Sequence, residues 1–227
     1  MLRVTDGDAV RVATLDRPTV RNALTPDALD DLRDAVTDAD QPVVYVHGAG
    51  DAFCAGADLD VVRGLDGPRG EAFARRGQRT MNAIEDSDSV VVAGVDGAAR
   101  GGGVELALAC DVRVCTPDAT FAEPGVSLGV FGAWGGTRRL SEAVGATHAA
   151  DLSLSGRTID AETARDVGLV SRVAADPREV AEEIAANDPA ALRELTGLLS
   201  MDASREESDR AEADAFARLL ADDPFEN

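Results

Sequence analysis

The chain has 227 residues, 44% of them hydrophobic, and carries 42 acidic against 22 basic side chains for a net charge of −20. That length suits one generous domain with a sizeable core, and so apolar a composition excludes a disordered chain, which could not offset its ordering entropy. The acidic balance, with arginines scattered along the sequence, argues against nucleic acid, because such a surface repels phosphates.

Short apolar runs alternate with helical periodicity, which reads as α/β. A strand is predicted at 10–15. Thr25-Pro26-Asp27 then opens a helix: Thr caps, Pro suits the first helical position, and the acid complements the dipole. Leu29, Leu32 and Val36 recur on one face of it. Strands follow at 43–46 and 90–95, and Gly101-Gly102-Gly103 starts a helix running to Ala109. A strand at 112–115 comes next, then a helix from Asp160 to about Gly168 and a strand at 169–173. After Asp176-Pro177 only helix is expected, with a capping box from Ser204 to Glu207 and apolar Phe216, Leu219 and Leu220 beyond it. The division is an α/β core over 1–176 and a helical, oligomer-forming region over 177–227.

Three cysteines, Cys54, Cys110 and Cys115, cannot all pair and form no CxxC, which fits a reducing compartment. The start, Met1-Leu2-Arg3-Val4, lacks an apolar signal region, and the apolar stretch near 90–95 is too short to span a bilayer. A cytoplasmic protein with no membrane partner is expected. All basic residues are Arg, and aromatic residues make up only 4%. This composition suits a cytoplasm of molar salt, where self-repulsion is screened within a few ångströms.

Several motifs bear on chemistry. The glycine run fails the dinucleotide spacing, since GxGxxG from Gly101 would need glycine at Leu106, and a Walker loop is excluded by the lack of Lys. Gly125-Val126-Ser127-Leu128-Gly129 matches GxSxG, but the downstream His148 leaves little room for a triad and no helix pattern follows Ser127 directly. His47 and His148 stand far apart with no CxxC or HxxxH, so no metal site is expected. Cys54 reads as a small buried thiol. Glu105 stands apart. It is a lone carboxylate in the first turn of an apolar, glycine-led helix, where it either complements the dipole or serves as a tuned acid or base in a dry site.

Two segments together resemble the enoyl-CoA hydratase/isomerase (crotonase) superfamily. They are Ala49-Gly50-Asp51-Ala52-Phe53-Cys54-Ala55-Gly56-Ala57-Asp58-Leu59, and residues 95–111 with Arg100-Gly101-Gly102-Gly103-Val104-Glu105 at their centre. Asp16-Arg17-Pro18 with Asn22-Ala23-Leu24, Gly135-Gly136-Thr137 with Arg139-Leu140, and Ser155-Gly156-Arg157 extend the likeness over nearly the whole chain. The resemblance implies a crotonase-like spiral of ββα units with a short helical C-terminal region, packing as a homotrimer or dimer of trimers. It implies an acyl-CoA thioester substrate and no separate cofactor, coenzyme A entering as part of the substrate.

By position, the backbone N–H groups of Ala57 and Gly102 would form an oxyanion hole and Glu105 would be the acid/base. The Ala55, Gly56 and Asp58 loop would lie against the adenine end of coenzyme A, with Arg21 as a phosphate contact. Gly101, Gly125 and Trp134 would line the substrate site. The sequence departs from the family at several points. Gly125 occupies the place of a second glutamate, which puts two-carboxylate hydration in question and leaves single-carboxylate isomerisation, decarboxylation or mere acyl-CoA binding as alternatives. If the segment is extended, Glu123 points to the same side as residue 125 and is the alternative second carboxylate; an exposed or ion-paired Glu123 is the expectation. Arg100 replaces an apolar residue, and is expected to pair with an acid at a subunit contact or else, if it faces the pocket, to hold a substrate carboxylate. Phe131-Gly132-Ala133-Trp134 would reshape the acyl pocket, and the chain's end soon after Phe225 suggests a shortened last helix.

Overall fold

A computed structural model describes residues 2–221; Phe225 and the rest of the C-terminal segment lie outside the described residues. The chain opens with β1 (Leu2–Asp6), β2 (Val10–Leu15), a 3-10 turn, α1 (Pro26–Thr37) and β3 (Val43–Gly48). Helices α2 (Leu59–Arg63) and α3 (Gly67–Glu85) precede β4 (Val90–Val95), β5 (Ala98–Arg100) and α4 (Gly102–Ala109). Then come β6 (Val112–Cys115), β7 (Thr120–Ala122), a 3-10 turn over Pro124–Leu128, and α5 (Gly136–Ser155). The last core elements are β8 (Ile159–Asp160), α6 (Ala161–Asp166) and β9 (Arg172–Val173), followed by α7 (Arg178–Ala185), α8 (Pro189–Leu199) and α9 (Arg205–Ala221).

The strands form a six-stranded sheet, β1-β2-β3-β4-β6-β9, and a three-stranded sheet, β5-β7-β8. Successive stretches repeat one plan: a strand in the large sheet, a strand in the small one, then a helix. Thus β4, β5 and α4 are followed by β6, β7 and α5. Earlier turns of the spiral reduce the small-sheet strand to one bridge each, Leu24 to Ala57 and Cys54 to Ala99. The expected ββα spiral is therefore present, and it stacks the 54–57 loop directly against β5 and the start of α4.

Local chemistry explains the elements. Thr25 caps α1 by accepting from the Ala28 N–H, and Leu29, Leu32 and Val36 are buried beneath it. Asp160 caps α6 through the Thr163 N–H at 2.9 Å. At α9, Ser204 N–H donates to Glu207 at 2.9 Å while the Glu207 N–H donates back to the Ser204 hydroxyl, the expected capping box. Every residue of α4 is buried, so this helix is the axle of the core. One expectation needs correction: only Arg172–Val173 is strand in the 169–173 run, because the Leu169 and Val170 N–H groups turn back to the Ala164 carbonyl. In the C-terminal region, Val180 and Ala181 of α7 pack with Val43, Tyr45 and Val92 on the outer face of the large sheet.

Candidate active site

Glu105 is 1% exposed, one turn into α4. Its Oε1 accepts the backbone N–H groups of Trp134 and Gly136, both at 2.8 Å. Those donors come from the segment that leads into α5, so the carboxylate is bolted to a loop thirty-odd residues away and Oε2 is the oxygen left for a ligand. Burial pushes the Glu105 carboxyl above its ordinary range, opposed by the two amides and by the field of Arg139. Arg139 is itself buried. It donates to the Trp134 carbonyl at 3.1 Å, to Asn82 at 2.7 Å and to Glu85 at 2.6 Å, and so fixes the loop that holds Glu105.

Glu105 opens on a cavity of about 240 Å³ whose lining includes Ala55, Ala57, Gly101, Gly102, Gly125 and Trp134. The mouth is walled on one side by Leu59, Val62, Leu65 and Phe73, and on the other by Leu128, Val130 and Phe131. In the bridge of Leu24 to Ala57, Leu24 receives the Asp58 N–H and donates to the Gly56 carbonyl, which turns the Ala57 N–H to the opposite side. Among the described residues neither the Ala57 nor the Gly102 N–H donates to a protein acceptor. Both are free donors, and Gly102 is the first residue of α4, where the dipole is positive. Gly56, at φ +85°, lets the two loops meet: a Cβ there would sit 2.8 Å from the Gly102 nitrogen and 2.6 Å from the Arg100 oxygen.

Asn22 secures the loop from below. Its side-chain amide donates to the Ala49, Ala52 and Phe53 carbonyls at 2.9, 2.8 and 3.2 Å, and its oxygen accepts the Arg17 N–H. Asp58 caps α2 through the Asp60 N–H and pairs with Arg17 at 3.0 Å, which holds its carboxyl below the usual range. Asp58 and Gly56 thus shape the loop without lining the cavity. Cys54 is the buried thiol expected; burial pushes it up to about 12.

Glu123 departs from the sequence expectation. The chain is not extended beyond it, since Pro124–Leu128 forms the 3-10 turn, so strand alternation does not relate it to residue 125. Nor is it exposed or ion-paired. It is half-buried, lines the same cavity as Glu105, and has no hydrogen-bond or ion-pair partner for its carboxyl among the described residues. Burial and the charge of Glu105 push it up to about 8. At residue 125 itself, a Cβ would lie 3.1 Å from both the Phe131 Cα and the Val130 oxygen, so that position has little room for a side chain.

Arg100 is bound within its own chain to backbone and hydroxyl groups rather than to an acid. It pairs with no acid among the described residues and lies outside the Glu105 cavity, so it is not placed to hold a carboxylate there. It donates to the Thr120 carbonyl and hydroxyl and to the Ala99 carbonyl. With Arg21 it lines a second cavity of about 350 Å³, which adjoins the first at Ala55. Trp134 lines the Glu105 cavity, buried and edge-on to Phe73 at 5.6 Å; its amide's part in holding Glu105 was not foreseen. Ser127 donates its hydroxyl to the Pro124 carbonyl at 2.7 Å in the 3-10 turn, with no histidine as partner, so GxSxG is no nucleophile elbow here. Among the described residues no group of three His, Cys, Asp or Glu side chains could hold a metal, and no helix is long and apolar enough to cross a membrane.

A family profile described as enoyl-CoA hydratase/isomerase matches residues 5–223. A crotonyl-CoA hydratase of Syntrophomonas wolfei is 35% identical over 228 residues, spanning 94% of this chain and 87% of that one. The crystal structure of an enoyl-CoA hydratase from Bacillus anthracis superposes with a TM-score of 0.90 at 30% identity, covering 97% of this chain and 91% of that one. One from Thermoplasma volcanium does so with a TM-score of 0.91 at 29% identity, covering 98% and 93%. The chain belongs to the enoyl-CoA hydratase/isomerase family.

Proposed function

We propose that this chain adds water across the carbon–carbon double bond of an enoyl-CoA thioester. The observation that carries the reading is a dry carboxylate, Glu105, opening on the same apolar cavity as the two unused backbone donors of Ala57 and Gly102. In the forward direction Glu105 takes a proton from water as the water oxygen bonds to the β-carbon. The π electrons of the double bond move toward the thioester, whose oxygen becomes enolate-like and is held by the two N–H groups. The electron pair then returns to the α-carbon, which takes up a proton. Each donor of this kind lowers the barrier by about 3 kcal/mol in comparable sites.

Coenzyme A is carried by the substrate, and the chemistry requires no other cofactor. Its nucleotide phosphates are assigned to the cavity of Arg21 and Arg100, with the Ala55 to Asp58 loop against the adenine; two guanidinium groups there supply charge-assisted donors. The same reading has the enzyme working as a trimer or pair of trimers, which is supported by the exposure of Leu195, Leu199, Phe216 and Leu220 on the C-terminal helices. Three buried, unpaired cysteines and the net charge of −20 support a reducing, salt-rich cytoplasm.

The test is to follow loss of the conjugated enoyl absorbance of crotonyl-CoA in high salt, beside a 3-enoyl-CoA and a malonyl-type CoA. Hydration that disappears in Glu105→Gln is the expected result. Migration of the double bond or release of carbon dioxide without hydration would replace the reading with isomerisation or decarboxylation. Binding of coenzyme A with no turnover of any thioester would replace it with an acyl-CoA binder.

A further inference from the structure

We infer that Glu123 is the second catalytic carboxylate of this chain, standing two residues before the glycine at 125 and donating the proton that the α-carbon takes up. The inference rests on the hydratase reading and deepens it. Its first support is the register of the small sheet. Strand β5 pairs in parallel with β7, Arg100 opposite Ala122, and the Gly101 N–H donates to the Ala122 carbonyl at 3.0 Å. The next residue on that strand is Glu123, which therefore emerges beside Gly101, at the entrance to α4 and next to the free Gly102 amide. Its second support is the shared cavity: Glu123, Glu105, Ala57 and Gly102 all line it.

A third support is the crowding at residue 125, where a Cβ would press on the backbone of Val130 and Phe131 at 3.1 Å. The turn that removes room at 125 leaves Glu123 at the cavity wall instead. Glu123 also borders a smaller cavity of about 40 Å³ lined by Gly132, Gly136 and Thr137, which is large enough for a water molecule beside the carboxyl.

The two carboxyls are unequal, as paired acid and base must be. Glu105 has two amide donors that favour its ionised form, whereas Glu123 has none and feels the negative charge of Glu105. Among the described residues no cation offsets that field at Glu123, and Arg139, on α5, acts on Glu105. Glu123 is therefore the carboxyl set to carry a proton, and Glu105, with its two amide donors, the one set to accept one. In hydration the water O–H bond breaks to Glu105 as the C–O bond forms. The enolate electron pair then takes the Glu123 proton to form the α C–H bond. The pair ends with the proton on Glu105 and returns it to Glu123 through solvent, so atoms and charge balance.

The test compares wild type, Glu123→Gln and Glu123→Asp in crotonyl-CoA hydration, and in exchange of the α-hydrogens of butyryl-CoA with deuterated water, followed by NMR. Butyryl-CoA has no double bond or β-hydroxyl, so its exchange reports proton transfer at the α-carbon alone. Glu123→Gln is expected to lower kcat by about 100-fold or more with little change in KM, and to abolish exchange. Glu123→Asp is expected to keep part of both activities, which a merely structural role would not require. The wild-type rate is expected to fall as pH rises through about 8, and that limb to vanish in Glu123→Gln. If Glu123→Gln hydrates and exchanges like wild type while Glu105→Gln does not hydrate, the assignment of Glu123 fails and the hydratase reading stands. If the wild type hydrates no enoyl thioester, both fail.

Discussion

The indole of Trp134 fills the space that any side chain on residue 102 would need: a Cβ there would collide with the ring, nearest Cζ3. The same residue's backbone N–H holds Glu105 at 2.8 Å. One residue thus sets both the space around the free Gly102 N–H and the aim of the Glu105 carboxylate. Gly102→Ala is expected to displace the ring, costing about 1–3 kcal/mol of stability by overpacking. It should also lower kcat, by up to about 100-fold, because the added methyl group crowds the approach to the Gly102 N–H, although alanine keeps that donor. Trp134→Leu in the same chain is expected to recover stability without recovering rate, read by thermal melts and steady-state kinetics.

Asn22 joins three carbonyls of the 49–53 segment from a left-handed backbone position, φ +58°. Asn22→Ala leaves those buried acceptors without their donor, at a cost of about 1–3 kcal/mol. Because that segment runs on to Ala57, the expected kinetic signature is a lower kcat with a modest change in KM. Denaturant unfolding and initial rates check the two effects separately. An unaltered kcat in a folded variant would show that the loop is held without Asn22.

The Glu105 carboxyl is raised on folding, chiefly by burial. The folded state therefore holds its proton more tightly than the unfolded chain does. The corresponding stability is present below the unfolded value and is lost as pH rises through the folded value. Glu105→Gln keeps an oxygen for the Trp134 and Gly136 N–H groups and carries no charge. Its melting temperature is expected to match wild type in acid and to exceed it at neutral pH. Melts across that range are the check, and a variant less stable than wild type at every pH would contradict it.

A net charge of −20 is only partly answered by the surface ion pairs, many of them between exposed side chains such as Arg63 and Asp60 or Arg75 and Glu71. Exposed pairs of this kind contribute little each. The fold is expected to be least stable in millimolar salt and to gain as salt approaches molar, where the screening length falls to about 3 Å. Melting temperature against sodium and potassium chloride measures this. A curve flat from low to high salt would remove the salt-rich setting from the reading.

The local features were legible in the residues because their causes are local. The cap at Thr25, the helix opened by Gly101 to Gly103, the buried face of Leu29, Leu32 and Val36, and the capping box at Ser204 and Glu207 each depend on neighbours within a few positions. Helix α3 and helix α5 escaped the pattern reading; α3 is rich in arginine and broken by glycines, and Gly145 interrupts α5 at φ +74°. The strands β5, β7 and β8 are two or three residues each, too short to carry an alternation.

For the site, the amino-acid order alone singled out Glu105, because one carboxylate in an apolar helix has to find donors or stay neutral. That Gly125 stands where a second glutamate would be came from the resemblance to the family, not from the residue pattern itself. Tertiary structure decided which donors Glu105 finds, that Arg100 turns to a cavity beside Arg21, and that Glu123 lines the same cavity as the free amides. Those outcomes depend on where parallel strands far apart in the chain come into register. Burial and the field of a distant charge are properties of the folded space around a residue, and no spacing along the chain encodes them.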